Sequence, residues 1–384
     1  KKLDTKITYE RTGPASFTNE FGKVVLVGGN VPRFDHDPVT RECKGLLIEE
    51  ERTNFMKYSD EFAIASGQTG GNWDPIGGQS DYTRVSDTTE TKDPTGITNH
   101  ASKLTFVSGN PTLRGYWYSG AVNGAVTKTF SVYLKRATSN TTNIKIDIGD
   151  QGVTTYTITD EWKRYSVTTS SAGNGNFVDM RIETGASTPY YAWGAQIEAG
   201  AFPTSYIPTS SAAVTRGADT TFIDGDDFTD FYNQPEGTIV SSHSLLDDIP
   251  ATHNVYTYQV APDSGTSEAP FRLIDRNGAY GNTLVATSIT NNAIVAFFKA
   301  SGDPVTPANK KMKVAFAIKT NDFAASFNGG TVVTDTSGTV SQTNDHLAIG
   351  YYKPSPQAYL NGHIQRLMYY PSRLSNTQLQ NLSS

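Results

Sequence analysis

Residues able to recognise or transform a ligand are scattered thinly along this chain. The densest aromatic cluster is Tyr116-Trp117-Tyr118. Flat rings of this kind pack on pyranose C–H faces, while neighbouring polar groups take the hydroxyls, so the chemistry it suits is saccharide binding. On a strand, Tyr116 and Tyr118 share one face and Trp117 takes the other, so one side can enter a core while the other forms a platform. Trp73 stands in the Gly-rich stretch Gly70–Pro75 and is a second candidate. Further on, Phe271-Arg-Leu-Ile-Asp-Arg-Asn-Gly278 ends in a turn signal with Arg276 at its edge, and Tyr280, Tyr351 and Tyr352 fall near predicted loops. The candidate saccharide contacts are therefore Trp73, Tyr116, Tyr118, Arg276, Tyr280, Tyr351 and Tyr352. Each has an ordinary alternative: the rings can fill a core or a corner, and the tyrosines can lie with a buried ring and a wet hydroxyl. Trp193 alternates within an apolar strand and reads as core; Trp162 opens a strand and reads as structural.

Catalytic signals are weaker still. Retaining hydrolysis of a glycan needs two carboxyl groups a few ångströms apart. In concanavalin-like glucanases a Glu-x-Asp-x-x-Glu strand supplies them, and no Glu here is followed by Asp two positions later. The six histidines are dispersed, and no local Ser/His/Asp or Cys/His set stands out. No catalytic residue is assigned, and the expectation is a protein that is not an enzyme. Asp224-Gly-Asp-Asp-Phe-Thr-Asp230 gathers four carboxylates and could supply some oxygens to calcium, but its spacing is not that of a helix-loop-helix site, and it reads as a solvated loop. Asp35-His-Asp37 reads as a turn-forming motif with Arg33 and Arg41 as ion-pair partners. Glu49-Glu-Glu51, beside Arg52, reads as a set of surface ion pairs. No metal or cofactor is expected, and calcium has no support beyond that one stretch.

What must position such residues is a β scaffold. At 384 residues the chain exceeds one ordinary core, so roughly two or three domains are expected. With 34 Gly, 18 Pro, abundant Tyr and Phe and only 18% charged residues, it suits many short strands joined by tight turns. A net charge of -6 and the lack of a basic run argue against nucleic acid as a partner. No apolar run is long enough to span a bilayer. Cys43 stands alone, which excludes an internal disulfide framework.

The period of two is explicit in several segments. Thr129-Phe-Ser-Val-Tyr-Leu-Lys135 alternates Phe130, Val132 and Leu134 with polar neighbours, and Asn143-Ile-Lys-Ile-Asp-Ile148 does the same with three isoleucines. Residues 1–44 read as an extended N-terminal docking segment. Residues 45–212 read as one sandwich, Pro203–Ser211 as a semi-rigid linker, and residues 213–384 as a second sandwich closed by a short helix capped at Ser375.

Several motifs go further. Pro32-Arg-Phe-Asp-His-Asp-Pro-Val-Thr40 with Gly45-Leu-Leu-Ile-Glu-Glu-Glu-Arg-Thr-Asn54 resembles the start of a family of bacteriophage virion proteins, tail-fibre or head-fibre components. Tyr190–Gly200 with Phe202–Thr209 is similar to the closing strand and exit of a carbohydrate-binding-module-like sandwich. Ala213–Asp219, Phe231–Thr238 and Leu360–Ser375 are similar to the entry and the last strand of a concanavalin A/laminin-G-like sandwich. The resemblance implies an all-β protein with two tandem antiparallel, jelly-roll, lectin-like sandwiches. It also implies a virion location, other virion proteins as partners through the N-terminal segment, host surface polysaccharide or glycan as ligand, and a homo-oligomer, trimers being common among phage fibres. Two alternatives stay open: a purely structural head-decoration or tail-connector protein, and a glycan-degrading enzyme.

Overall fold

The computed structural model describes residues 2–63, 73–76, 78–86, 88–109, 111–117, 122–173, 175–183, 188–248, 254–262, 268–276, 283–300, 308–353 and 358–384. Nearly all of its regular structure is antiparallel strand, as the alternation requires. Its helical elements include two short helices, Gly225–Thr229 and Asn376–Leu382, and a 3-10 turn, Gln79–Asp81.

Two compact units divide the chain, and the first fifty residues are shared between them. One unit comprises 1–12, 30–50 and 218–384; the other comprises 13–29 and 51–217. The leader expected as a separate docking segment is thus built into both. Thr8–Glu10 pairs with Thr220–Asp224, Phe34–His36 and Cys43–Ile48 join a large sheet, and Ala15–Thr18 forms a hairpin with Val24–Val27. The physical reason is strand pairing. An extended stretch satisfies its backbone amides by pairing, whether on an existing sheet or in a hairpin.

In the first unit, one seven-stranded sheet runs Thr8–Glu10, Thr220–Asp224, His346–Ile349, Asn254–Ala261, Ala269–Arg276, Thr283–Thr290, Ala293–Lys299. The second runs Val333–Asp335, Phe323–Phe327, Met312–Lys319, Glu236–Leu245, Gly362–Tyr370, Cys43–Ile48, Phe34–His36. Their inward residues interleave: Phe271 meets Phe316 edge-on at 5.4 Å, inside a buried cluster that includes Tyr258, Leu273, Ile239 and Val314. Gly45, at φ 108, lies against the backbone of Ile364 and Gln365, where a Cβ would come within 2.8 Å of Gln365 Cα. Only glycine fits there. The terminal helix forms as expected, with Ser375 and Gln378 making a capping box and Leu379 fully buried.

In the second unit, one five-stranded sheet runs Gln151–Ile158, Thr142–Ile148, Phe177–Ile182, Thr112–Tyr116, Trp73–Pro75. The facing sheet runs Lys163–Thr169, Lys128–Arg136, Tyr190–Ala199, Ser102–Phe106, Tyr82–Val85. Between them lie Ile144, Ile146, Ile148, Phe130, Val132 and Leu134, the two alternating sets of the sequence. The expected linker does not behave as one. Tyr206 and Ile207 are buried, and Ile207 donates to Gln196 Oε1 at 2.8 Å and accepts from Asn54 Nδ2 at 2.9 Å. Its apolar residues outweigh the extended preference of its prolines, and the segment packs within this unit.

Candidate functional site

The face of the Trp73–Ile182 sheet turned away from the core carries the chemistry. Cross-strand register places Asp74, Arg114, Asp179 and Asp147 directly side by side on four adjacent strands. Their sequence neighbours Trp73, Leu113, Met180 and Ile146 point the other way, into the core. Two residues along, Tyr116 sits opposite Phe177. The turn after Ile148 brings Asp150 beside the row; its φ of 63 is a conformation that Asp tolerates better than most residues.

Arg114 organises this surface. Its Nε donates to Asp179 Oδ1 and its terminal nitrogen to Oδ2, both at 2.7 Å, a two-point fork that fixes both groups. The same guanidinium stands 3.8 Å from Asp150 and lies over the Phe177 ring, 3.4 Å from its centroid. Tyr116 meets Phe177 edge-on at 6.4 Å. Asp147 is 4% exposed and accepts the Asp150 backbone N–H at 3.0 Å.

Charge on the face is unbalanced. Burial, and then the neighbouring Asp179 carboxylate, push the Asp147 carboxyl up to about 6. Asp179 is raised as well by burial, with Arg114 opposing the rise. Oxygens of Asp147, Asp150 and Asp179 lie within 4.8 Å of one another, a spacing at which three carboxylates can share one hard cation or converge on adjacent ligand hydroxyls. The arrangement thus offers fixed acceptors, one fixed donor group and an aromatic edge, side by side.

The expected contacts fare unequally. Tyr116 is half-exposed on this face, and Trp117 is buried behind it, as strand alternation requires. Trp73 is corrected: at 1% exposure it stacks on Phe62 at 4.9 Å in the core and offers no ring to a ligand. Its Gly-rich flank suggested a loop, but Trp73–Pro75 pairs as an edge strand, which turns the indole inward. Tyr351 is corrected too; 5% exposed, it packs on Tyr359 at 6.2 Å and meets His346 through its hydroxyl at 3.3 Å. Tyr352 is half-buried and stacks on Tyr256 at 4.7 Å. Tyr118, Tyr280 and the side chain of Arg276 lie outside the described residues. Trp73 lies on the strand beside Tyr116 but turns its ring to the opposite, core face.

Other motifs resolve into structure. Lys6 pairs with Asp227 at 3.4 Å and Asp230 at 3.1 Å, beside the short helix that occupies the acidic stretch. Asp35 contacts His363 at 2.9 Å, and Asp37 caps its own turn by accepting from Val39 and Thr40. Glu49, expected at the surface, is fully buried against Arg33 at 2.6 Å. Arg33 also pairs with Asp219 at 2.5 Å, and Arg11 lies 3.4 Å from Asp219. Tyr9 donates to Asp219 and accepts from Arg11, which closes the network.

No protein-family description and no characterised protein sequence matches the chain. Partial overlaps with solved structures exist. A heptameric SAP-like pentraxin from Limulus polyphemus matches at 14% identity and TM-score 0.32, over 39% of this chain and 70% of that one. The CBM40 of a Ruminococcus gnavus IT-sialidase, bound to α2,6-sialyllactose, matches at 17% identity and TM-score 0.32, over 40% and 85%. CG-16, a homodimeric agglutinin from chicken liver, matches at 12% identity and TM-score 0.25, over 36% and 93%. Overlaps this partial decide neither ligand nor activity.

Proposed function

We propose that the protein is an adhesin that binds glycans through the Arg114 face and performs no chemistry on them. One observation carries this reading: a guanidinium locked on Asp179 stands between two further carboxylates and a Tyr116–Phe177 aromatic edge on a single sheet face. Carboxylates accept hydrogen bonds from adjacent hydroxyls, the guanidinium donates to ring or hydroxyl oxygens, and the half-exposed Tyr116 ring can cover a C–H face. Display as a fibre or spike component of a bacteriophage particle is part of the proposal and is supported by the motif resemblance alone. Repetition in a homo-oligomer would then turn weak single sites into firm attachment.

Hydrolysis has one observation in its favour, the raised carboxyl of Asp147 next to other carboxylates, which is how a general acid is prepared. The nucleophile or base is the weak point. Both oxygens of Asp179 are held by Arg114, which lowers its reactivity toward an anomeric carbon or a water. Binding is therefore preferred.

A glycan array read with the full chain and with Arg114→Ala tests the proposal. The expected result is retention of a small set of glycans, with affinity falling at least about tenfold in the variant. No retention by an intact, folded chain, or retention unchanged in the variant, would refute it. Release of reducing ends from a retained glycan would replace binding with hydrolysis. Immunogold labelling of particles checks the virion location.

A further inference from the structure

The 218–384 segment carries an open basin of its own, about 490 Å³ in volume, at the end of the sheet that contains Asn254–Ala261, Ala269–Arg276 and Thr283–Thr290. Its walls are fixed. Thr290 Oγ1 donates to Thr339 O at 2.9 Å, which ties the end of one strand to the strap that crosses it. Glu268 Oε1 accepts from the Asn292 backbone at 3.3 Å. Beneath the strap, the buried Asn344 donates through Nδ2 to Ser341 O at 2.9 Å and to Gln234 Oε1 at 3.2 Å, and Gln234 donates back to Asn344 O at 2.7 Å. A ligand entering here meets groups already in place, so little ordering is left to oppose binding.

The lining has a definite chemical character. Glu268 and Asp345 bring carboxylates, Thr290, Ser341 and Thr343 hydroxyls, and Gln342 an amide. Pro262 and Val340 are its apolar members. None of the described residues around it is Lys, Arg or aromatic. So polar a wall gains little from an apolar ligand, which would strip water from it without replacing the hydrogen bonds. Glu268 brings a charge that no Lys or Arg among the described lining residues offsets, so the wall disfavours an anion and favours donors, whether hydroxyl or ammonium. The volume suits one or two sugar rings.

We propose that this basin is a second saccharide site, taking a hydroxyl-rich unit that carries no negative charge. The assignment rests on the glycan reading above for its ligand class only; its geometry is independent of the Arg114 face. The two sites would differ in charge preference, because one holds a guanidinium and the other holds none.

Val340 lines the basin and is 4% exposed, so its methyl resonances report on occupancy without reference to the other site. The test titrates the full chain, labelled at valine methyls, with glucosamine, lactose and glucuronate at pH 6. Saturable shifts at Val340 are expected with glucosamine and lactose and none with glucuronate. The double variant Glu268→Gln, Asp345→Asn should weaken glucosamine by about tenfold, the equivalent of about 1.4 kcal/mol, and lactose by less. Gln342→Lys, on the exposed rim, should admit glucuronate. These results should persist in Arg114→Ala, so failure of the first site and failure of this one are read separately. Val340 resonances unmoved by glucosamine and lactose up to about 50 mM, or moved as far by glucuronate as by glucosamine, would overturn the proposal.

Discussion

Two charged clusters in this protein are built from the same residue types and do opposite things. In the first unit, Arg33 and Arg11 face Glu49 and Asp219 with Tyr9 between them, and the four charged side chains have no exposure. Two cations meet two anions. Burial works against the charge of Arg33, but Asp219 and Glu49 outweigh it and leave the guanidinium above its ordinary pKa. In the second unit, Arg114 faces Asp179 and the half-exposed Asp150, and Asp147 lies on the strand beyond Asp179. Arg114 and, two positions along from Asp147, Lys145 meet three anions, and Arg114 and Asp150 are the members that solvent reaches. A closed, balanced network ties segments together, and it draws the N-terminal strands onto the sheet edges. An open, unbalanced one keeps bonding capacity in reserve, which is what recognition requires.

The sharpest way to break the comparison is to unbalance the closed network. Arg33→Met leaves Glu49 and Asp219 buried with their main partner gone, and a loss of about 3–5 kcal/mol is expected. Hydrogen exchange should show Cys43–Ile48 and Gly362–Tyr370 losing protection while Lys128–Arg136 keeps it. Arg33→Lys keeps the charge but not the fork, and should cost about half as much. Unchanged protection in Arg33→Met would mean the network contributes nothing beyond filling space.

Neutralising one acid in the open cluster should act with the reverse sign. The Asp147 carboxyl rises from an ordinary value of 3.8 to about 6 on folding, so its ionisation disfavours the folded state. The associated stability is fully present below about pH 4 and is lost as pH rises through 6. Asp147→Asn removes this dependence. The variant should gain about 1 kcal/mol at pH 7 and differ little from the parent at pH 4, as read from urea unfolding at both pH values. Asp219→Asn, in the balanced network, should instead lose stability at pH 7. Two losses of equal size would erase the distinction between the clusters.

Much of this was readable from residue order. Alternation in Thr129–Lys135 and Asn143–Ile148 gave strands and faces correctly, and Ser375 marked the helix start. The charged row was only half legible. Asp147 lies between Ile146 and Ile148, Asp179 between Val178 and Met180, and Arg114 beside Leu113, so each was assignable to the face turned away from the core, though not to its degree of burial. What no local pattern gives is register. Arg114 and Asp179 are 65 positions apart, and only pairing of their strands makes them neighbours. Glu49 shows the same limit: next to Glu50 and Glu51 it looked like surface, because its partners, Arg33 and Asp219, are remote in sequence. Trp73 erred in the other direction, since a Gly-rich flank does not reveal which face an edge strand turns inward.

The smallest expected effect bears most directly on recognition. Tyr116 stands at the end of its strand, half-exposed, with its ring edge on Phe177 and Arg114 beside it. Burial raises its phenol above the ordinary value, so the hydroxyl stays protonated across the neutral range and can donate. Tyr116→Ala removes the ring that would cover a sugar C–H face, and affinity for a retained glycan should fall roughly two- to tenfold, the equivalent of about 0.5–1.5 kcal/mol. Stability should move by no more than about 0.5 kcal/mol, because a half-exposed ring at a strand end contributes little burial. Tyr116→Phe separates the two contributions: it keeps the ring and loses the donor. If the ring carries the contact, Phe restores affinity; if the hydroxyl does, Phe and Ala behave alike. Should both variants bind as the parent does, the aromatic edge plays no part, and recognition would rest on the Arg114–Asp179 fork and its spare carboxylates.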